Sequence, residues 1–144
     1  MSTNSTEALS VNFNKKVLGI DPRIPKLQKK DEFKLSVVQL KEEIQEFEDA
    51  YEDGNLVECV DAMMDLKVFA DGVLYKMGLT PEDMFECAEA INTANMAKKA
   101  GVKATRVVTE GDDAPVDANK PEGWVGPEAA IALVLARRVE KCRS

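Results

Sequence analysis

An all-α fold is what this sequence predicts, on three observations. Two long stretches repeat their apolar residues at steps of three and four, the period of a helix face. Helix start and stop signals bracket those stretches at short intervals. The one β-branched run, Thr105 to Thr109, is short and lies among Gly, Pro and Asp. The expected architecture is a helical bundle around a central antiparallel hairpin, with a long loop before the C-terminal helix.

The elements follow in order. Residues 1–6 are polar and are expected to fray. A short amphipathic helix is expected from about Glu7 to Leu18. Gly19-Ile20-Asp21-Pro22-Arg23-Ile24-Pro25 reads as a loop, because proline disfavours helix in the residue before it. From Asp31 to Asp53, Phe33, Val37, Leu40, Ile44, Phe47 and Tyr51 share one helix face, with Asp31 as cap and Gly54 or Asn55 as stop. The next helix runs from Leu56 to Met77 and closes at Gly78. It is apolar nearly all the way round, as a helix central to a bundle or an oligomer would be. A connection of two or three residues makes these two helices an antiparallel hairpin. Thr80-Pro81-Glu82-Asp83 opens a third long helix that reaches about Lys99, with Thr80 as N-cap and Pro81 at the first helical position. Residues 101–126 read as a long loop, with at most a small strand, and as a candidate lid. Pro127 opens the last helix, Glu128 to about Lys141.

The chain has 144 residues, which fits a single domain over 1–144 at the usual scale of roughly 100–150 residues. Its 44% hydrophobic and 31% charged residues are a folded protein's balance. The formal charge of −7 shows no basic footprint for duplex nucleic acid. Histidine is absent, which excludes a Ser-His-Asp triad, a Cys-His dyad, a His-built zinc site and a di-iron site of Glu-x-x-His pairs. Cys59, Cys87 and Cys142 are odd in number and far apart. They read as reduced thiols in the cytoplasm, a host's cytoplasm if the protein is viral. The first residues do not resemble a secretory signal, no stretch approaches the ~18 apolar residues of a membrane span, and Cys142 stands one residue too late for a prenylation box.

The acids carry the functional signal. One helix holds Glu42-Glu43-x-x-Glu46, and the next holds Glu58-x-x-Asp61 with Asp65 following. At ~100° per residue, Glu43 borders its helix's apolar face, Glu46 lies beside it and Glu42 one step further out. Glu58, Asp61 and Asp65 fall within a sector of roughly 60° on a helix that otherwise favours burial. Carboxylates are rarely buried unless paired or bound to a cation, and only Lys41 and Lys67 are near in sequence. A divalent metal resolves the repulsion, and hard oxygen ligands select Mg²⁺ or Mn²⁺ over zinc. Spacing of i, i+3 on two facing helices delivers four carboxylates to one point. Glu48, Asp49, Glu52 and Asp53 read instead as a solvated face.

Glu42-Glu43-x-x-Glu46, eleven residues, then Glu58-x-x-Asp61 resembles the signature of the MazG-like, all-α nucleotide pyrophosphohydrolases, a fold shared with dimeric dUTPases. Gly54 to Asp65, Asn92-Thr93-Ala94-Asn95-Met96-Ala97-Lys98 and Lys120-Pro121-x-Gly123-Trp124 resemble further stretches of its compact, phage-type members. The resemblance implies hydrolysis of a nucleoside triphosphate to monophosphate and pyrophosphate. It implies Glu43, Glu46, Glu58 and Asp61 as Mg²⁺ ligands, with Mn²⁺ able to substitute. It also implies Glu42 as base for the attacking water, and Asn95, Lys98 and Asn92 as phosphate-holding residues. By the same resemblance a purine deoxynucleotide such as dGTP is favoured over dUTP or dCTP. Phosphoribosyl-ATP pyrophosphohydrolysis, a silent nucleotide- or metal-binding regulator and a helical interaction module are the alternatives.

Four further positions carry two readings each. Phe13 and Asn14 either stack on and read a base or pack the first helix. Trp124, beside Lys120, is either a lid over the nucleotide or a structural contact. Asp65 either touches sugar or a second metal, or pairs with Lys67 or Lys98. A homodimer or homotetramer is expected from the apolar surface of the second long helix and of Ala129 to Ala136.

Overall fold

In the computed structural model, which describes residues 5–103, 106 and 115–144, five helices and one small hairpin follow along the described chain. They are α1 (Thr6–Lys16), α2 (Lys30–Glu52), α3 (Leu56–Lys76), α4 (Pro81–Met96), β1 (Lys99–Val102), β2 (Val116–Asn119) and α5 (Glu128–Arg143). The class is all-α, as expected. Among the described residues no helix is long and apolar enough to cross a membrane.

Each boundary has a local cause. Ser5 caps α1, its Oγ accepting from the Ala8 N–H. At α2 the expected cap fails: Lys29 holds the N-cap position without a side-chain bond, and Asp31 sits inside the first turn. There its charge meets the positive end of the helix. Gly54, at φ +64°, turns the chain, and Asn55 then caps α3 by accepting from the Glu58 N–H. Thr80 and Asp83 form a reciprocal box at the start of α4. The Thr80 N–H donates to Asp83 Oδ2 at 2.9 Å, and the Asp83 N–H donates to Thr80 Oγ1 at 3.2 Å.

The third long helix ends three residues short of Lys99. Lys99–Val102 instead pairs antiparallel with Val116–Asn119, in the register Lys99 with Asn119 and Val102 with Val116. The expected long loop over 101–126 is therefore in part a hairpin. Of the β-branched run Thr105 to Thr109, only Arg106 lies within the described residues.

Two compact units divide the chain. One comprises the residues up to Met84 together with Leu135–Ser144, and the other is Phe85–Val134. In the first unit α3 packs against α2 and against α1. The α2 face turned inward is centred to one side of the apolar stripe, with Val37, Leu40 and Phe47 half-buried at its edge. Ser36, Glu43 and Ala50 are the buried residues of α2, while Phe33, Ile44 and Tyr51 are largely exposed. Spacing of seven places those three along one seam, and small or slender residues there let the two helices approach. On the α1 side the seam is polar. Ser10 donates to the Val68 carbonyl at 3.0 Å, Asn14 donates to the Ser10 carbonyl at 2.9 Å, and both face Gly72, where a Cβ would come within 3.1 Å of Asn14. The buried apolar residues of this unit are Ala50, Ala62, Tyr75, Leu79 and Met84. The N-terminal half of α3 is open: Leu56 is 76% and Val57 75% exposed, with Val60 and Met64 exposed beside them.

Candidate functional site

The acidic residues expected to hold metal lie on α2 and α3 of the first unit. Glu43 is the exception among them in being buried, at 8% exposure. Its Oε2 has no hydrogen-bond partner. Burial first, and then the negative charges of Glu46, Asp65, Asp61 and Glu42, push its pKa above the ordinary glutamate value. The antiparallel hairpin causes this meeting: it returns α3 alongside α2, so that Asp61 and Asp65 face Glu43 from the other helix. Glu42, Glu46, Glu58, Asp61 and Asp65 are exposed. Glu58 is not among the charges acting on Glu43, and Asp65 is. The Glu58 backbone N–H is the group that Asn55 caps.

Among the described residues no group of three or more Asp, Glu or Cys side chains is poised to hold a metal ion. In kind the donors fit a hard divalent cation. They are all carboxylate oxygens, and one buried oxygen lacks a partner, a state that costs free energy until a donor or cation meets it. The exposed acids around Glu43 can turn toward it, and mutual repulsion opposes that until a cation offsets it.

The phosphate-holding candidates lie in the second unit, where two of them meet. Lys98 donates to Asn95 Oδ1 at 2.7 Å and stands 5.2 Å from the centroid of the Trp124 ring. Lys120 stands 4.6 Å from the same centroid. The Trp124 indole N–H donates to the Ala94 carbonyl at 2.7 Å, which fixes the ring against α4. Asn92 is exposed on α4 and takes no part in this cluster. Lys98 thus meets Asn95 and Trp124, and its charge acts on Asp117, while the charge of Lys67 acts on Glu7 and Asp71.

Phe13 is half exposed and Asn14 is buried in the α1–α3 seam, where its amide is used within α1. Asp71 was not singled out from the sequence. It is 8% exposed, its Oδ2 has no partner, and burial followed by the Glu7 charge raises its pKa. The signal was present: Asp71 is an acid on the same apolar helix that drew attention to Asp61.

Residues 18–92 match the family model described as phosphoribosyl-ATP pyrophosphohydrolase, just over half of the chain. The chain belongs to this family. It lies within the MazG-like, all-α nucleotide pyrophosphohydrolase superfamily that the acidic signature resembles. A search of curated proteins finds no match. The matched stretch contains all of α2 and α3, hence every candidate metal ligand, and ends at Asn92. Phe13 and Asn14 precede it, and Asn95, Lys98, Lys120 and Trp124 follow it. The family is one of pyrophosphohydrolases.

Proposed function

We propose that the protein hydrolyses a nucleoside triphosphate to the monophosphate and pyrophosphate with Mg²⁺ as cofactor, Mn²⁺ substituting. The observation that carries this reading is the buried, unpartnered carboxylate of Glu43, set among Glu46, Asp61, Asp65 and Glu42. Glu43, Glu46, Glu58 and Asp61 would hold the ion, with Asp65 the nearest further donor. Magnesium there supplies charge neutralisation and polarisation of the α-phosphate. Glu42, exposed beside this group, orients the attacking water and takes its proton. Lys98 and Asn95 bind the departing pyrophosphate, whose developing charge a lysine offsets.

A purine deoxynucleotide such as dGTP is the preferred substrate, on the resemblance to phage-type relatives. The family match supports a second reading, hydrolysis of phosphoribosyl-ATP, by the same bond cleavage at the same acids. A second copy of the chain covers the open stripe of Leu56, Val57, Val60 and Met64, giving a homodimer or a homotetramer. A cytoplasmic location accords with the absence of any disulfide among Cys59, Cys87 and Cys142.

Pyrophosphate release from a panel of dNTPs, NTPs and phosphoribosyl-ATP, with and without Mg²⁺, tests the reading. Magnesium-dependent release from one substrate class is expected. Nucleotide binding without release would assign a regulator, and neither binding nor a Mg²⁺-induced rise in melting temperature would leave a helical interaction module.

A further inference from the structure

The second unit holds a groove of about 610 Å³, within the range of small-molecule sites. Ala90, Ala94 and Ala97 of the α4 region form one wall, and Pro121, Trp124 and Pro127 contribute to the other. Alanine and proline leave a flat apolar slot, and the Trp124 ring, pinned by its bond to Ala94, gives that slot a rigid aromatic side. Lys98 and Lys120 both approach the same ring. Two ammonium groups on one ring repel each other, and neither forms an ion pair with a carboxylate among the described residues. The nearby Asp117 pairs with Arg106 and Lys103, and the charge of Lys98 acts on it without forming an ion pair. Ala97 and Pro121, which line the groove, are the chain neighbours of Lys98 and Lys120. An apolar slot beside two cations that form no ion pair among the described residues suits a molecule that is flat at one end and anionic at the other. A nucleoside phosphate has that shape and charge.

We propose that this groove seats the nucleoside portion of a nucleotide against Trp124 while Lys98 and Lys120 hold its phosphates. The proposal rests on the pyrophosphohydrolase reading for its choice of nucleotide. Thr93 and Glu122, the polar side chains of the lining, are then the groups that meet the base or sugar edge.

Trp124 is the sole tryptophan of the chain, so tryptophan emission, excited at wavelengths that tyrosine does not absorb, reports on this groove. The full chain in EDTA is titrated with dGTP, dGMP and pyrophosphate. Saturable quenching by dGTP and dGMP is expected. The Ala97→Leu variant, which fills the slot from an exposed position, should weaken both nucleotides at least tenfold and leave pyrophosphate unchanged. No quenching by either nucleotide, or identical nucleotide affinities in Ala97→Leu, overturns the proposal. A change of oligomeric state in Ala97→Leu without nucleotide binding also overturns it, assigning the groove to contacts between copies. The two readings fail separately. Normal magnesium-dependent turnover with no tryptophan response removes the groove and keeps the enzyme. A saturable, Ala97-dependent response with no pyrophosphate release keeps the groove and removes the enzyme.

Discussion

Arg138 grips Asp83 with two nitrogens, Nε at 2.8 Å from Oδ2 and Nη2 at 3.2 Å from Oδ1, while Nη2 also reaches Thr80 Oγ1 at 3.1 Å. The pair joins the end of the chain to the cap of α4 and is largely buried. Burial alone would raise the Asp83 pKa, but hydrogen bonds from Arg138 and Thr80 outweigh it and the net shift is downward. A carboxylate with a depressed folded-state pKa stabilises the fold above its ordinary value of 3.8, and that stability is lost as the pH falls through the folded value. Arg138→Met leaves Asp83 charged without its partner and should cost about 3 kcal/mol in urea unfolding at pH 7. The loss should shrink below about pH 4, where Asp83 protonates in the variant.

Glu43 has the opposite sign. Its folded-state pKa is raised above 4.5, so its contribution to stability is present at low pH and lost as pH rises through the folded value. At pH 7 the ionised group is a cost. Glu43→Gln should therefore melt a few degrees higher than the parent in EDTA at pH 7, and the two should converge near pH 4. Saturating Mg²⁺ at about 100 times its Kd stabilises a protein by about 2.7 kcal/mol. That rise should appear in the parent and vanish in Glu43→Gln.

Glu42→Gln separates the base from the ligands. The variant should keep the Mg²⁺-induced rise in melting temperature and lose hydrolysis by about 10²–10⁴-fold, the usual contribution of a positioned general base. Unimpaired hydrolysis in a steady-state pyrophosphate assay would remove Glu42 from that role.

Gly78 stands at φ +95°, and a Cβ there would lie 2.6 Å from the Ile24 carbonyl oxygen. The neighbouring Lys26 N–H donates to the Met77 carbonyl, so the 20–26 segment is held against this turn. Gly78→Ala combines left-handed strain with a backbone clash and should cost at least ~2 kcal/mol by denaturant titration.

Much of this was legible because it is local. Thr80, Pro81 and Asp83 announce their helix through bonds that span three residues. The spacing of Glu58, Asp61 and Asp65 placed them in one sector of α3, and the short connection to α2 accounts for Asp61 and Asp65 acting on Glu43. Gly54 and Gly78 marked turns that require a positive φ. What escaped depends on partners far along the chain. The four residues of β1, three of them exposed, have no alternation to show, and they become a strand only by pairing with Val116–Asn119. The α2 seam of Ser36, Glu43 and Ala50 contains no large apolar residue, so the hydrophobic period points to its flank, where Val37, Leu40 and Phe47 are half-buried. Trp124 and Lys98 meet through a bond from a loop to Ala94, a contact that no helical spacing encodes.

The first unit fully withdraws few large apolar side chains from water, among them Tyr75, Leu79 and Met84, and leaves Leu56, Val57 and Val60 wet. A lone chain therefore recovers little of the free energy that hydrophobic burial can give it. If the proposed second copy covers those side chains, folding and pairing draw on the same reserve, and dilution should act on this protein as mild denaturant acts on others. Its melting temperature should climb with each tenfold step in chain concentration.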